Sequence, residues 1–309
     1  NLYSIEIPPN SELTTIEKEA FRQSTLREIT IPPSLVDLQK DWNSCAILKK
    51  ITVLPNNPRY LNYDDKFVIG KSSLDSPNYD VLIACTSDME TVLIPSNIEI
   101  IESYAFLLSE IHHIEFNFDS KLRIISNNAF ADSYIESITI PSHVINIGEF
   151  AFYRCGNLRR VEFASNSEIQ VLEKGVFCAS SIEYISIPAH LTQIKSGTFD
   201  YCKNLRRIEI PENSELQSFN EAAFSNTFFE SIFIPPHLTY IGVRAFIYSE
   251  IKRVEFSINS ELQIIEHNAF ECSKIMCISL PSSLKKIGDK TFAYCRNLLI
   301  IEISENSQL

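Results

Sequence analysis

Apolar residues recur along this chain in a motif that repeats every 22 to 25 residues. Each copy begins with apolar residues at alternating positions, as in Ile29 and Ile31 or in Ile208 and Ile210. Alternation with a period of two places such side chains on one side of a β-strand. A turn and a second apolar stretch follow, and this stretch ends in Ala-Phe or a close variant. The phenylalanines of successive copies are Phe130, Phe152, Phe177, Phe199, Phe224, Phe246, Phe270 and Phe292.

A repeat length between 20 and 30 residues is typical of leucine-rich repeat solenoids. We therefore predict that one strand and one return segment form a coil, and that each coil contacts only its neighbours. The aliphatic residues and the phenylalanine should point inward and stack on their equivalents in the next coil. The return segment is too short for a long helix, so we expect a tight turn followed by an irregular or 3₁₀-like path.

Two coil types alternate along the chain. The short type has a proline directly after the strand, as at Pro141, and proline ends a strand because it lacks the N–H that a β-ladder needs. The long type carries Asn-Ser-Glu-Leu or a similar sequence, as at residues 213–216, where Asn and Ser can bond their own backbone in a turn. Phe152 and Phe199, which lie two coils apart, are separated by 47 residues. The full repeat is therefore a pair of coils.

The strand motif occurs thirteen times. With ~4.8 Å between neighbouring strands, a parallel sheet of about 13 strands should extend roughly 55–60 Å. The strand centres are Ile5, Ile29, Ile51, Val92, Ile114, Ile138, Val161, Ile185, Ile208, Ile232, Val254, Ile278 and Ile301.

One interval departs from the rest, because Ile51 and Val92 are separated by 41 residues and no Ala-Phe motif lies between them. Two apolar runs flank a polar stretch there, which predicts a β-hairpin. We assign residues 55–88 to this insertion, and expect it to replace the return half of one coil and to project from the solenoid. Its tyrosines, which are candidate binding residues, are Tyr60, Tyr63 and Tyr79.

The uniform repetition predicts a single array over residues 1–309, although 309 residues could form more than one ordinary domain. Both ends lie inside a repeat, so we expect a fragment of a longer protein. No stretch approaches the ~20 apolar residues that span a bilayer, so we expect no membrane insertion by this fragment. The net charge of −12 argues against nucleic acid or an anionic membrane as the main partner.

The chain has eight cysteines and no Cys-x-x-Cys pair. We interpret most of them as small buried residues of the repeat, while pairing of Cys272 with Cys295 or of Cys178 with Cys202 stays open. The histidines His143, His190 and His237 are each 47 residues apart, which places them on every second coil, too far apart for one metal ion. The sequence contains no P-loop, nucleophile-elbow or zincin motif. We therefore expect no metal, no cofactor and no enzymatic activity.

Outward-facing strand positions carry charges in columns. From the sixth strand, one column alternates in sign at every strand and consists of Glu136, Arg159, Glu183, Arg206, Glu230 and Lys252. Equivalent side chains in neighbouring strands lie close enough to pair, so the columns could be a charge ladder that keeps the exposed sheet soluble and in register. They could equally form a recognition surface, and exposed aromatic residues on it would be binding anchors. The candidate binding residues on this face are Tyr184, Phe233, Arg160, Arg207, Arg253, Glu162, Glu209 and Glu255.

The combination of Ile-x-Ile-Pro, Ala-Phe-x-x-Cys or Thr-Phe-x-x-Cys, and Asn-Leu, carried by the stretches at residues 140–158 and 187–205 with the strand residues just before them, resembles the BspA-like leucine-rich repeat family. This family is known from bacterial surface proteins and from surface antigens of parasitic protists. The resemblance covers essentially the whole chain. It implies a right-handed superhelix with the parallel sheet on its concave face, no catalysis in the repeats, and adhesion to host proteins or cells.

Two functions follow as alternatives. The first is a non-catalytic module, at the cell surface or secreted, that binds a protein or a glycan on its concave face. The second is a cytoplasmic scaffold, or the sensor region of a larger and possibly kinase-linked protein. The unpaired cysteines favour the second, as does the absence of any Asn-x-Ser/Thr glycosylation site.

Overall fold

The chain forms a β-solenoid in the computed structural model, which describes residues 2–39, 41–43, 48–64, 66–85, 90–303, 307 and 309. Each coil contributes one strand to a front sheet and one shorter strand to a return sheet. The front strands are β1 (Ser4–Ile5), β3 (Glu28–Ile31), β5 (Lys50–Val53), β9 (Thr91–Ile94), β11 (His113–Phe116), β13 (Ser137–Ile140), β15 (Arg160–Phe163), β17 (Tyr184–Ser186), β19 (Arg207–Glu209), β21 (Ser231–Ile234), β23 (Arg253–Phe256), β25 (Cys277–Leu280) and β27 (Ile300–Ile303). These are the thirteen strands that the sequence predicts, and each contains its predicted centre.

The return sheet consists mostly of strands of two residues. They are β2 (Thr15–Ile16), β4 (Asp37–Leu38), β10 (Ile100–Ile101), β12 (Ile124–Ile125), β14 (Asn146–Ile147), β16 (Val171–Leu172), β18 (Gln193–Ile194), β20 (Ser218–Phe219), β22 (Tyr240–Ile241), β24 (Ile264–Ile265) and β26 (Lys286–Ile287). Three further strands, β6 (Tyr60–Tyr63), β7 (Phe67–Gly70) and β8 (Val81–Cys85), belong to the insertion.

The return path differs from the prediction of a 3₁₀-like segment. Within the described ranges it contains turns and two-residue parallel strands but no helix, so the chain is a β-solenoid without the α component that the sequence suggested. The reason is that most return strands pair with their equivalents on both sides, for example Ile194 with Leu172 and Phe219, so their backbone bonds are made between coils. A helix would have made those bonds within one coil.

The repeat phenylalanines form a continuous stack through the core. From Phe106 to Phe292, successive rings lie 4.7–5.6 Å apart at their centroids and within 18° of parallel. This spacing matches the distance between neighbouring strands. Phe199, for example, is fully buried between Phe177 and Phe224. The stack fixes the register of each coil on the next.

Three cysteines, each located three residues after a core phenylalanine, form hydrogen bonds between coils that the sequence does not reveal. The thiols of Cys155, Cys202 and Cys295 each donate to the carbonyl of the phenylalanine in the preceding coil, with Sγ–O distances of 3.0 Å. Burial raises the pKa of Cys155 and Cys202 to about 12, which keeps both thiols protonated. Cys155, Cys178, Cys202, Cys272, Cys277 and Cys295 form no disulfide, and Cys45 lies outside the described ranges.

The insertion forms an antiparallel meander rather than a single hairpin. β6 pairs with β7, β7 pairs with β8, and β8 then pairs in parallel with β10, so that β8 takes the place of a return strand. Residues 65 and 86–88 of the predicted range lie outside the described residues. The prediction that this segment projects from the solenoid is wrong, because β7 is buried along its whole length.

The meander is buried because it lies between two hydrophobic cores. Val68 packs with an N-terminal core that contains Ile29 and Trp42, whereas its neighbours Phe67 and Ile69 pack with the C-terminal core that holds the phenylalanine stack. Alternating side chains of one strand therefore contribute to different cores. Because the side chains on both faces of these strands are buried, the two runs that predicted a hairpin are continuously apolar.

The front sheet is interrupted at the insertion, since β5 ends one segment and β9 begins the next. The Asn62 side chain bonds the open edge of β5, accepting from Val53 N–H at 2.7 Å and donating to Ile51 C=O at 2.8 Å. The hydroxyl of Tyr60 bonds the edge of β4 in the same way, because it accepts a hydrogen bond from Leu38 N–H at 3.0 Å. Side chains thus replace the backbone ladder where the coils are not adjacent. No helix in the described ranges has the length and apolar character needed to cross a membrane.

Candidate functional site

The front face carries its polar side chains in two rows that the strand register brings together. One row contains Arg160, Tyr184 and Arg207, which are direct Cα partners across β15, β17 and β19. In the other row, Ser186 is the partner of Glu209, and Thr139 is the partner of Glu162 one pair of coils earlier. Parallel pairing in register places equivalent side chains on adjacent strands, so the predicted column arrangement is present here.

Tyr184 contacts two side chains of the next coil. Its hydroxyl donates to a Glu209 carboxylate oxygen at 2.6 Å, and the Arg207 guanidinium lies 5.9 Å from the ring centroid. Arg207 also forms an ion pair with Glu209, which closes a triangle of three contacts. The hydrogen bond to the carboxylate raises the pKa of Tyr184. The half-buried ring is therefore held in place by the next coil.

A depression of about 570 Å³ lies beside this cluster. Tyr184 lines it together with Arg160, Glu162 and Phe163, and the turn residue His190 is also part of the lining. Arg160 and Glu162 form an ion pair along their own strand. The depression therefore offers an aromatic ring, a cation, an anion and hydroxyl groups to one ligand.

The other predicted binding residues lie further along the same face. Phe233 is half-buried and is the direct partner of Glu255, while Arg253 is exposed and is the partner of Ser231. These three lie on β21 and β23 and do not line the depression around Tyr184. The structure thus places the eight predicted front-face residues in two groups.

The alternating charge column forms ion pairs at several steps. Arg159 bonds Glu183 at 2.6 Å and Lys252 bonds Glu230 at 2.6 Å, in both cases between adjacent coils. The bond from Lys252 lowers the pKa of Glu230. Arg206 departs from the pattern and lies over the ring of Phe228, with 5.5 Å from its Cζ to the centroid. Within the described ranges, ion pairs between adjacent strands therefore form at some positions of the predicted charge ladder and are missing at Arg206.

Histidines at the coil turns form cross-coil pairs with glutamates of the next coil. His143 bonds Glu168 at 2.9 Å and His190 bonds Glu215 at 2.9 Å. His237 contacts its glutamate at 3.4 Å. The sequence signal was the glutamate of Asn-Ser-Glu-Leu, which lies about one coil after each histidine. Each histidine has its own carboxylate, and in the described part of the chain no three metal-ligating side chains converge.

The three tyrosines of the insertion have different environments. Tyr60 is 2% exposed and bonds the edge of β4, which gives it a structural position. Tyr79 is half-buried beside Lys71, and Tyr63 is 41% exposed. Of the three, Tyr63 offers the largest accessible surface to a partner.

The fold is similar to solved structures of leucine-rich repeat proteins. No curated protein matches the chain. A leucine-rich repeat protein from Eubacterium ventriosum is 20% identical, with a TM-score of 0.69 over 82% of this chain. The match covers 66% of that protein, so the chain spans just under two thirds of its length.

Two other solved structures are similar over nearly the whole chain. A leucine-rich repeat protein from Bacteroides ovatus is 19% identical, with a TM-score of 0.52 over 98% of this chain and 82% of its own length. A leucine-rich cell surface protein from Faecalibacterium prausnitzii is 18% identical, with a TM-score of 0.47 over 98% of this chain and 88% of its own. The BspA type leucine-rich repeat region, in six copies, matches residues 1–122, 78–206, 123–252 and 217–308. The chain therefore belongs to the BspA type leucine-rich repeat family.

Proposed function

We propose that this chain is a non-catalytic recognition module that binds a protein or a glycan through its front face, at a cell surface or after secretion. In this proposal the front face is the concave face of a right-handed superhelix. The observation that carries the proposal is the depression around Tyr184, where a held aromatic ring lies beside the charged groups of Arg160 and Glu162. Leucine-rich repeat arrays use extended surfaces of this kind to bind partners.

The contacts around Tyr184 support a binding role for energetic reasons. An aromatic side chain that is already ordered loses little conformational entropy when it is covered by a ligand. Glu209 and Arg207 hold the ring before binding, whereas a freely rotating tyrosine would have to be ordered. Tyrosine and arginine are also the residue types that most often dominate interface energies.

The proposal is tested by binding of the fluorescently labelled chain to a panel of cultured epithelial and bacterial cells, measured by flow cytometry. Tyr184→Ala should weaken binding to the responding cells about tenfold or more, and Phe233→Ala should also weaken it. Tyr134→Ala is the matched control, because Tyr134 is 49% exposed but lies outside the depression. Equal binding by all three variants and the parent chain would contradict the front-face proposal.

A cytoplasmic scaffold, or the sensor region of a larger protein that could include a kinase, is a second candidate. The observation that favours it is that Cys155, Cys178, Cys202, Cys272, Cys277 and Cys295 are free thiols, a state typical of reducing compartments. Antibody staining of intact against permeabilised source cells separates the two candidates. Staining of intact cells supports the surface location, and staining only after permeabilisation supports the scaffold.

A further inference from the structure

Three exposed tyrosines form a row at the turn that precedes the front strands. Tyr201, Tyr248 and Tyr294 each follow a core phenylalanine by two residues, and they are 50%, 57% and 71% exposed. They lie on every second coil, so neighbours are roughly 10 Å apart along the solenoid. We call this set the tyrosine row.

The backbone at these positions gives no reason for tyrosine. All three residues have a positive φ, of 58°, 55° and 58°, which is an unusual conformation for a bulky side chain. The equivalent position has a positive φ in other coils too, where the residues are Arg154, Ala179, Asn226 and Cys272. The turn therefore does not select tyrosine, and the recurrence of a largely exposed ring on every second coil points to a role for its side chain.

A groove of about 460 Å³ lies between Tyr248 and Tyr294. Its lining includes two cations, Lys274 and Arg296, whose side chains make no ion pair or hydrogen bond with any residue in the described ranges. Lysines elsewhere in the array, such as Lys252 and Lys286, are paired with glutamates of the adjacent coil.

The groove also contains one carboxylate, Glu271, which accepts a hydrogen bond from the Asn268 amide and forms no ion pair with either cation among the described residues. With Lys274, Arg296 and Glu271 in its lining, the groove has a local charge of +1 between two aromatic rings, in a chain whose net charge is −12. This local charge favours an anionic ligand.

The groove cannot bind an extended peptide by strand addition, because the N–H groups of its turns are already used. Cys272 N–H donates to Ala293 C=O, and Tyr248 N–H donates to Glu271 C=O. Peptide recognition of that type depends on free main-chain groups at a sheet edge. What the groove offers is side chains: aromatic faces for the apolar face of a ring, and cations for a carboxylate.

We infer that the groove between Tyr248 and Tyr294 binds an acidic oligosaccharide. Its carboxylate lies between Lys274 and Arg296, and its sugar rings pack on the two tyrosines. This site is separate from the depression around Tyr184, which lies on the front strands several coils earlier.

Isothermal titration of the full chain with a hyaluronan hexasaccharide, whose only charges are carboxylates, tests this inference. We expect saturable binding. Lys274→Ala and Arg296→Ala should each weaken the affinity about fivefold or more, and Tyr248→Ala should do the same, while Tyr248→Phe should retain binding. Lys285→Ala, which removes an exposed lysine outside the groove, is the charge control and should have no effect.

Two comparison ligands test the need for a charge and the need for a sugar. Neutral maltohexaose and a tetraglutamate peptide should each bind at least tenfold more weakly than the hyaluronan hexasaccharide. Equal or tighter binding of either one would overturn the assignment. So would absence of hyaluronan binding at millimolar concentration, or affinity that survives in the Lys274→Ala/Arg296→Ala double variant.

Discussion

At the scale of the residue, the repeat assigns each position one environment, and the phenylalanines are the clearest case. Their inward direction and stacking follow from the sequence, because a residue that recurs at the same place in the motif of every coil must occupy the same place in the structure. The bonds of Cys155 and Cys202 to the preceding coil could not be predicted, since their acceptors are carbonyls that any residue would supply. The sequence shows that His143 and Glu168 belong to recurring positions, but it does not show that their side chains form a hydrogen bond.

Truncation of a stacked phenylalanine should be costly. Phe199 is fully buried and contacts aromatic rings on both sides at 5.5 and 5.3 Å. Phe199→Ala removes both contacts and leaves a cavity, so we expect a loss of about 3–5 kcal/mol in the free energy of unfolding. Chemical denaturation monitored by circular dichroism measures this loss. A cost near zero would mean that the ring does not face the core.

Low pH should remove the contribution of the ion pair between Lys252 and Glu230 to the stability of the fold. The bond from Lys252 lowers the pKa of Glu230 in the folded chain below its ordinary value of 4.5. A carboxyl with a lowered folded pKa stabilises the fold above the unfolded pKa, and this stabilisation is lost as the pH falls through the folded value. Glu230→Gln should therefore be slightly less stable than the parent chain at pH 7, and the difference should vanish near pH 3.

The matched control for this measurement is Glu255→Gln on the neighbouring strand. The Glu255 side chain is exposed and makes no ion pair among the described residues. Its substitution should change stability equally little at both pH values. A Glu230→Gln difference that persists unchanged at pH 3 would refute the electrostatic origin.

At the scale of the element, regular coils are readable from sequence and the irregular one is not. All thirteen front strands appear at their predicted positions because alternation of apolar residues is a local signal. The return strands were missed because two residues are too few to show a period, and only pairing with adjacent coils defines them. The missing Ala-Phe motif predicts an insertion over residues 55–88, and β6, β7 and β8 lie within that range. Its burial was missed because nothing local reveals that β7 has a core on each side.

The side chain of Asn62 should protect the open edge of β5. Because it accepts from Val53 N–H, its loss exposes that amide to solvent. With a net value of about 0.5–1.5 kcal/mol for one hydrogen bond, Asn62→Ala should accelerate exchange of the Val53 amide roughly 2- to 10-fold. Hydrogen exchange followed by NMR measures this rate.

A conservative variant separates the two bonds of Asn62. Asn62→Asp keeps an oxygen for Val53 N–H but removes the amide that donates to Ile51 C=O. Exchange at Val53 should stay close to that of the parent chain. Equal acceleration in both variants would show that the bond to Val53 does not form.

At the scale of the whole molecule, the solenoid presents a long front face whose side chains are set by the register of the coils. Because the coils repeat, much of this face is a series of paired charges, and each exposed pair contributes little to the stability of the fold. The positions that differ from the series, above all Tyr184 with its contacts to Glu209 and Arg207, are those where recognition is proposed. The architecture could be derived from the sequence, whereas the depression depends on which side chains meet across coils.

Carboxyl footprinting of the chain bound to responding cells tests the central claim most directly. A soluble carbodiimide and an amine label accessible carboxylates, and mass spectrometry compares labelling with and without cells. The account predicts that labelling of Glu162 and Glu209 falls severalfold on binding, while Glu149, exposed beyond the return strand β14, is labelled equally in both states. Protection of Glu149 with unchanged labelling of Glu162 and Glu209 would contradict it.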